Sequence, residues 1–320
     1  MEGAPHEVIS PLYGALLAPV SKRESRLWKF GKPLIATLDQ RKCSGYTHST
    51  WITAMLHSVK QLEDCSVGAS DGELGTVNDV YFDDEHWTIR YMVVKAGGWL
   101  SGRKVLISPS AVRDVAWADH VMRVSLTRQQ VRDSPSIDTD KPVSRQHEID
   151  HYNYYGYPNY WEGGSLWGLG VYPVPWVGAS PDPALAQRQR RDDSVAHERQ
   201  GRLDRERESS NSHLRSGNEV IGYEIIADDG PIGDVENFVF DDESWAIRYM
   251  VVETRKWLPG KHVILSPDWI GRVSWSEREV HVKVTRQAVE ASPVFDPSRP
   301  LSREDEAGLY KHYKRAPHWP

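Results

Sequence analysis

The sequence predicts a mainly β protein: two small β-barrel modules, each followed by a short C-terminal helix, joined by a disordered linker. The first observation is an internal duplication, since Asp71–Tyr155 aligns without a gap on Asp229–Tyr313 and 37 of the 85 positions are identical. The second is a series of short β-branched and aromatic runs between turn residues. The third is a serine before the last helical segment of each copy, Ser144 and Ser302.

The elements of each copy follow in the same order. The motifs "DGELG" and "DGPIG" are turn signals in which Gly75 and Gly233 are free to take positive φ. The runs "TVNDVYF" and "WTIRYMVV" are joined by "DDEH", which predicts a hairpin, and "KVLIS" and "VHVKV" add short strands. Regular short strands of this kind predict a small closed barrel. Thr127, with Gln130 at the third position, predicts a capped helical turn.

The predicted turn and hairpin residues recur at matching positions of the two copies. They are Asp71, Gly72, Gly75, Asp83 and Asp84 in the first copy, and Asp229, Gly230, Gly233, Asp241 and Asp242 in the second.

The motifs "FDDEHWTIRYMVV", "WLSGRKVLISP", "LTRQQVRDSP" and "SRQHE", with "DGELG" and their second-copy counterparts, resemble the PRC-barrel domain family. This family includes the cytoplasmic domain of the photosynthetic reaction-centre H subunit and the C-terminal domain of the ribosome maturation factor RimM. The resemblance spans residues 55–162 and 217–315. It implies a small, strongly bent β-barrel that docks to other macromolecules and is not known for catalysis. The chain departs from both relatives because it carries two PRC-like copies.

The composition excludes several classes of protein. A hydrophobic share of 39% and a length of 320 residues are enough for two domains with their own cores. A formal net charge of −6 argues against a general nucleic-acid binder. No apolar run approaches the roughly 18 residues that cross a bilayer. Cys43 and Cys65 form no C-x-x-C pair, which argues against a disulfide framework. We expect a cytoplasmic protein without a cofactor or a transmembrane segment.

The chain divides into five predicted parts. These are an unstructured or mis-called extension (1–54), module 1 (55–155), an aromatic Gly/Pro arm and charged linker (156–216), module 2 (217–315) and a tail (316–320). Met55 is the hypothesised natural start. The arm either packs on its own barrel or serves as a docking segment. The mixed-charge linker favours partly independent modules, with packing into one pseudo-symmetric unit as the alternative.

The segment "HEIDH" matches the H-E-x-x-H motif of zinc proteases, in which two histidines on one helix face bind the metal. In the second copy His147 and His151 are replaced by Asp305 and Leu309, so the same helix is built without either imidazole. We therefore predict no catalytic and no metal-binding residues. The helix is expected to expose a charged face and to dock its tyrosines on the barrel.

Two other patterns have a functional and a structural interpretation. "FDDE" occurs twice, at 83–85 and 241–243 with the preceding Phe, and turn formation is favoured over a cation site or a partner contact. Arg90 and Arg248 in "RYMVV" are expected to pair with a neighbouring acid, rather than to form an anion site.

The sequence thus predicts a non-enzymatic adaptor or scaffold that docks to a protein partner through paired barrel modules. Association with a photosynthetic reaction centre or another membrane complex is one alternative, and a ribosome or RNA-processing role is a second. Self-association and packing between the modules also stay open. The candidate partner contacts are exposed-looking aromatic residues: Trp99, Trp257, Tyr154, Tyr155, Tyr157, Tyr160 and Trp161.

Overall fold

The computed structural model describes residues 55–135, 143–173, 213–254 and 260–319. It is mainly β, as predicted, with two seven-stranded sheets and short helices. The predicted N-terminal extension and the charged part of the linker, 174–212, lie outside the described residues. No helix in the described part of the chain is both long enough and apolar enough to span a bilayer.

The same succession of elements occurs twice, with corresponding elements 158 residues apart. The first copy contains β1 (Leu56–Ser58), α1 (Val59–Glu63), β2 (Ser66–Ala69), β3 (Gly72–Asp83), β4 (Thr88–Ala96), β5 (Lys104–Ile107), β6 (Val112–Ala116), β7 (Val121–Val124), α2 (Arg128–Arg132) and α3 (Arg145–Tyr155). The second copy contains β8 (Leu214–Ser216), α4 (Gly217–Val220), β9 (Glu224–Ala227), β10 (Gly230–Asp241), β11 (Ile247–Glu253), β12 (His262–Leu265), β13 (Ile270–Ser274), β14 (Glu279–Val282), α5 (Arg286–Glu290) and α6 (Arg303–Tyr313).

Both sheets have the same strand order. In the first it runs β5-β4-β3-β2-β7-β6, and in the second β12-β11-β10-β9-β14-β13. All neighbours are antiparallel except β2–β7 and β9–β14, which are parallel. The predicted hairpin is confirmed, since β3 pairs with β4 from Gly75↔Ala96 to Asp83↔Thr88. The expected closed barrel differs in detail, because the path of paired strands among the described residues has β5 and β6 at its two ends.

The seventh strand of each sheet comes from the other copy. β8, at residues that the sequence assigned to the end of the linker, pairs antiparallel with β3 through Phe82↔Arg215. Reciprocally, β1 pairs with β10 through His57↔Phe240. Each short strand covers an edge of a long strand whose backbone groups would otherwise lack partners, and an unpaired edge is a site of aggregation. The exchange therefore ties the two copies together with main-chain hydrogen bonds.

The expectation of partly independent modules is wrong for this chain. Both copies fall within one compact unit, Ile52–Pro320. The mixed charges of the linker predicted a flexible tether. The composition of a linker does not, however, determine whether the surfaces of the two copies pack together. The exchanged strands and the apolar contacts between the two hairpins decide the arrangement.

Two tryptophans at the hairpin tips, where the copies meet, have strained backbone conformations. Trp87 and Trp245 have φ values of +50° and +61°, a left-handed region that costs a bulky residue on the order of 1 kcal/mol. The strain is offset across the junction. Ile89 N donates to the Trp245 carbonyl at 2.9 Å, and Ile247 N donates to the Trp87 carbonyl at 2.7 Å. Phe238 packs between the copies, with its ring centroid 6.4 Å from Trp87.

The predicted helix starts are confirmed. Thr127 caps α2 with a full capping box to Gln130, and Ser144 and Ser302 cap α3 and α6 by accepting backbone N–H groups. Helix α3 ends at Gly156, whose φ of +73° suits a left-handed C-cap. The last helix of each copy is thereby fixed at both ends, and the chain leaves α3 at a defined point to enter the arm.

Candidate functional site

Two grooves related by the duplication lie at the junction of the copies. Groove 1 has a volume of about 240 Å³ and groove 2 about 680 Å³. Each combines the hairpin tip of one copy with the strands of the other. Groove 1 is lined by Pro109, Val112, Arg113, Asp114, Val115, Trp117, Pro173, Asp242, Glu243 and Trp245. Groove 2 is lined by Asp84, Glu85, His86, Trp87, Leu166, Ala246, Ile247, Arg248, Ser266, Pro267, Asp268, Ile270, Gly271, Arg272, Val273, Trp275 and His318.

The grooves differ at the duplicated arginines: Arg248 lines groove 2, whereas Arg90 does not line groove 1 and is covered by the arm, residues 156–173. The Arg90 side chain is 1% exposed. Its Nε donates to Asp83 Oδ2 at 2.7 Å, and its Nη1 donates to the Leu166 carbonyl at 2.5 Å. The guanidinium carbon lies 3.9 Å from the Tyr160 ring centroid and 4.8 Å from that of Trp167. The arm therefore satisfies a buried cation with one carbonyl and two aromatic faces.

Glycines allow the arm to fold tightly enough for these contacts. A Cβ at Gly163 would lie 2.4 Å from the Gly168 carbonyl oxygen, and a Cβ at Gly168 would lie 2.7 Å from that of Asn159. Gly168 also has a φ of +76°. Trp167 and Gly170 form a backbone bridge in the same loop. Because side chains cannot be added at these positions without displacing the backbone, the glycine spacing fixes where Leu166 and Trp167 point.

The arm also fastens the two copies to each other. Trp167 is buried, and its indole Nε1 donates to the Ser244 carbonyl at 2.8 Å, in the hairpin tip of the second copy. The same ring lies over Arg90 of the first copy. At the start of the arm, the Tyr160 hydroxyl donates to Glu148 on α3, which Arg145 contacts at 2.9 Å. Thus the arm packs on its own barrel, as one of the two sequence interpretations proposed for it.

Within the described ranges, no segment covers the counterpart Arg248 in this way. Its side chain is 23% exposed and lines groove 2. Its Nη2 donates to Asp241 Oδ2 at 3.0 Å and to Ser244 Oγ at 3.2 Å. Its Nε is buried and has no hydrogen-bond partner. The expected pairing of both arginines with a neighbouring acid is confirmed, but only Arg90 has its remaining donor capacity and its ring contacts supplied by the arm.

Groove 2 carries charges of both signs. Asp84 Oδ2 accepts from Arg215 Nε at 2.9 Å. Asp268 and Arg272 also line the groove. The guanidinium of Arg272 lies 2.9 Å from His281 Nε2. His318 occupies the position of Tyr160 in the duplicated register, and its Nδ1 lies 3.2 Å from the Tyr310 hydroxyl oxygen. The groove is therefore polar and electrically mixed, with Trp87 and Trp275 as its large apolar walls.

Three of the predicted contact residues are buried inside the chain. Tyr155, Tyr157 and Tyr160 are each 6% exposed and form part of the core between α3 and the arm. Tyr155 and Tyr157 stack with their ring centroids 5.4 Å apart. The prediction that they contact a partner is therefore corrected: runs of tyrosine do not distinguish a sticky surface from an aromatic core, and here the arm folds back over α3.

The other predicted contact residues are half-buried. Trp99 donates through Nε1 to the Leu74 carbonyl at 2.8 Å, and the guanidinium of Arg128 lies 4.7 Å from its ring centroid. The Tyr154 hydroxyl donates to the Gln130 carbonyl at 2.9 Å. Trp161 lies under Arg145 at 4.7 Å. Their role as partner contacts stays a prediction, and Trp257 lies outside the described residues.

The "HEIDH" helix does not present a charged outer face throughout. His147 is exposed next to the Ser144 cap, whereas Glu148 and His151 are buried. His151 Nε2 donates to the Leu106 carbonyl at 3.1 Å, and burial lowers the pKa of this imidazole to about 4. The two histidines thus face different surroundings. In the described part of the chain no group of three or more His, Cys, Asp or Glu side chains could hold a metal ion.

The paired acids divide into two tasks. Asp83 and Asp241 organise their own turns, since Asp83 Oδ1 accepts from His86 N at 2.5 Å and Asp241 Oδ1 from Ser244 N at 2.9 Å. Asp84 and Asp242 instead receive the exchanged strands. Asp84 N donates to the His213 carbonyl at 2.9 Å, and Asp242 Oδ1 accepts from Met55 N at 3.0 Å. The second task is a contact between copies that the sequence did not reveal.

The remaining turn residues shape the sheet. Asp71 Oδ1 accepts from Arg128 N at 2.7 Å at the start of α2, and Asp229 Oδ1 accepts from Arg286 N at the same distance. The glycines that follow these acids, Gly72 and Gly230, have φ values of +146° and +131°. In the next turn position, Gly75 and Gly233 have φ values of +153° and +154°, so a glycine is needed there.

Sequence reasoning missed the residues that distinguish the two grooves: Leu166, Trp167 and Arg248 with its open surroundings. A signal was present. The register of the two copies aligns Tyr160, whose ring covers Arg90, with His318. This difference at one aligned position indicates that the two duplicated arginines have unequal surroundings.

The fold defines a class of protein: a duplicated, mainly β chain whose two barrel-like copies exchange strands and form two related grooves of unequal volume. Comparison with protein families assigns part of it. Residues 56–129, from β1 into α2, match the family model of the PRC-barrel domain. The first copy therefore contains a PRC-barrel domain, and the second copy has the same order of elements. A search of curated proteins found no match to the chain.

Proposed function

We propose that this protein is a non-enzymatic docking scaffold that holds a protein partner in groove 2. The PRC-barrel match supports a scaffold type of domain, and the strand exchange supports a single unit that presents surfaces from both copies. One observation carries the proposal. The arm covers Arg90 in the first copy. The residue at the matching position of the second copy, Arg248, lines groove 2, which has a volume of about 680 Å³.

The volume and lining of groove 2 fit a recognition site. Binding sites in proteins typically enclose roughly 300–1,000 Å³ and combine apolar walls with a few placed polar groups. Trp87 and Trp275 supply the apolar walls, and Arg248 supplies a guanidinium with an unused buried donor. A partner carbonyl that accepts from the exposed part of this guanidinium adds a charge-assisted hydrogen bond. Residues of both copies line the groove, and the exchanged strands hold the two copies together.

Site-directed photo-crosslinking in the native host tests the proposal. A photoreactive amino acid replaces Val273 in groove 2, and the matched control replaces its duplicate Val115 in groove 1, which Pro173 of the arm also lines. We expect a defined protein adduct from position 273, a weaker or absent one from position 115, and loss of the adduct when Arg248→Met is added. Equal adducts from both positions, or none from 273, would contradict the proposal.

The identity of the crosslinked protein also separates the alternatives that the family resemblance leaves open. A subunit of a membrane complex would favour association with a reaction centre or a similar assembly. A ribosomal protein or an RNA-processing factor would favour a role in ribosome maturation. Mass spectrometry of the purified adduct reads out both in the same experiment.

A further inference from the structure

The arm supplies a template for what fits beside a PRC arginine in this chain. It presents three elements to Arg90 and its surroundings. They are the Leu166 carbonyl on Nη1, the Trp167 ring over the guanidinium, and the Trp167 indole N–H on the Ser244 carbonyl. All three come from the turn "GGSLWGLG", and the second ring over Arg90, that of Tyr160, precedes this turn.

The second copy repeats the receiving side of these contacts. Arg248 is the duplicate of Arg90, and Asp241 anchors it as Asp83 anchors Arg90. The duplicate of Ser244 is His86, at the tip of the other hairpin, and both His86 and Arg248 line groove 2. Leu166 also lines groove 2, so that the arm itself forms part of one wall. The acceptor and donor groups used by the arm are therefore present twice.

Among the described residues, the segment that makes these contacts, residues 163–170, occurs only beside Arg90. His318 stands where Tyr160 stands in the register, and no described residue contacts Arg248 as Leu166 and Trp167 contact Arg90. The Arg248 side chain remains 23% exposed, and its hydrogen bonds run from Nη2 to Asp241 and Ser244. The missing contacts are a carbonyl acceptor and an aromatic face, which are the contacts that the arm supplies to Arg90.

The charges of groove 2 select against a small anion as the occupant. Three carboxylates, those of Asp84, Glu85 and Asp268, line it beside the guanidiniums of Arg248 and Arg272. A phosphate or carboxylate ligand placed near Arg248 would meet these acids, and like charges at short range disfavour binding. An uncharged segment that offers a carbonyl and a ring satisfies Arg248 without that repulsion.

We infer that groove 2 binds, in trans, a glycine-flanked aromatic segment of a partner protein that is folded like residues 163–170 of the arm. Its backbone carbonyl accepts from Arg248, its tryptophan ring covers the guanidinium, and its indole N–H donates to the His86 carbonyl. This inference rests on the proposed docking function and specifies the partner's chemistry.

A peptide with the sequence of Glu162–Pro173, labelled with a fluorophore, is the probe. Fluorescence anisotropy with the full chain is expected to show saturable binding at peptide concentrations up to about 1 mM. Arg248→Met weakens binding at least about tenfold, because it removes a charge-assisted hydrogen bond and a cation–π contact together. Arg299→Met serves as the charge-matched control and leaves binding unchanged, since Arg299 is an exposed residue paired with Asp305 away from the groove. A peptide with alanine for tryptophan loses binding.

Two outcomes overturn the inference: no saturable binding to the full chain, or binding that Arg248→Met does not alter. The crosslinking experiment separates this failure from failure of the docking function. A partner that still crosslinks at position 273 and is not displaced by the peptide leaves the scaffold proposal standing and removes the aromatic segment. A partner that the peptide displaces supports both, whereas peptide binding without any crosslinked partner supports the groove's chemistry and removes the scaffold role.

Discussion

The duplicated arginines Arg90 and Arg248 allow a comparison, within one protein, of how much the contacts made by the arm contribute to the free energy of unfolding. The change is Arg90→Met, with Arg248→Met as its matched partner. Methionine keeps an unbranched stem for packing but removes the charge and every donor. In the first copy, the loss leaves Asp83 buried at 3% exposure, with its Oδ2 deprived of the Arg90 donor and only the His86 backbone N–H and imidazole on its Oδ1. It also removes the hydrogen bond to the Leu166 carbonyl and the stacking of two rings.

The expected cost follows from burial. Breaking a buried ion pair by removing one partner destabilises a protein by about 3–5 kcal/mol, because an uncompensated charge remains inside. We expect Arg90→Met to fall in that range. Arg248→Met is expected to cost about 1–2 kcal/mol, since water reaches its side chain and Asp241 keeps two backbone donors, from Glu243 and Ser244.

The pH dependence gives the comparison a second reading. Burial alone would raise the pKa of Asp83, but the hydrogen bond from His86 and the charge of Arg90 lower it below its ordinary value. A lowered pKa contributes stability above the unfolded value, near 3.9, that is lost as the pH falls through the folded value. Without Arg90, burial dominates and the pKa of Asp83 rises. The deficit of Arg90→Met should therefore narrow as the pH falls from about 7 to about 5.

Urea denaturation of the two variants and the parent chain, followed by tryptophan fluorescence and circular dichroism, measures both effects. Equal costs for Arg90→Met and Arg248→Met would show that the arm contributes nothing to the stability of Arg90. A deficit of Arg90→Met that does not change with pH would show that Asp83 is not left as a buried charge. Either result would refute the reasoning that connects arm cover with the two grooves.

Three further predictions concern the fold. Gly75→Ala should destabilise the chain by several kcal/mol, since its Cβ would lie 2.0 Å from the Lys95 carbonyl oxygen, whereas Gly98→Ala meets nothing within 4 Å; thermal unfolding compares them. Burial raises the pKa of Glu148 to about 7, so its contribution to stability falls as pH rises from about 4.5 to 7. The stability difference between parent and Glu148→Gln should shift by up to about 3 kcal/mol over that window, and denaturation series that stay parallel would contradict it. Cleavage at a protease site inserted within residues 174–212 should leave both halves co-eluting in size exclusion, because the exchanged strands hold them; separation of the halves would contradict the exchange.

Local features of the fold could be read from the sequence because they depend on neighbouring residues. The β3–β4 hairpin, the caps at Thr127, Ser144 and Ser302, and the positive φ of Gly75 are set by turn chemistry and short-range hydrogen bonds. The duplication reinforced each assignment, since the same signal occurred twice at a fixed spacing. The pairing of the "RYMVV" arginines with an acid was equally local, seven residues away in both copies.

The candidate site was harder to predict because it depends on which surfaces meet. The tyrosines after α3 have the composition of a contact surface, yet Tyr155, Tyr157 and Tyr160 are core residues once the arm folds back. Burial of an aromatic ring is decided by distant partners and not by its own type. The acids of "FDDE" illustrate the same limit. Asp83 serves its own turn, whereas Asp84 receives a strand that begins more than 120 residues later in the chain.

The sequence by itself determined that the chain is a duplicated, mainly β protein, since strand periodicity, turn residues and helix caps act over a few residues and repeat. Only the tertiary structure decided that the copies exchange β1 and β8, and that one of two equivalent arginines is covered while the other lines a groove. The physical reason is that edge strands and buried cations are satisfied by whichever group lies nearest in space. Arg90 and Arg248 have nearly the same sequence around them, but among the described residues the arm covers Arg90 alone.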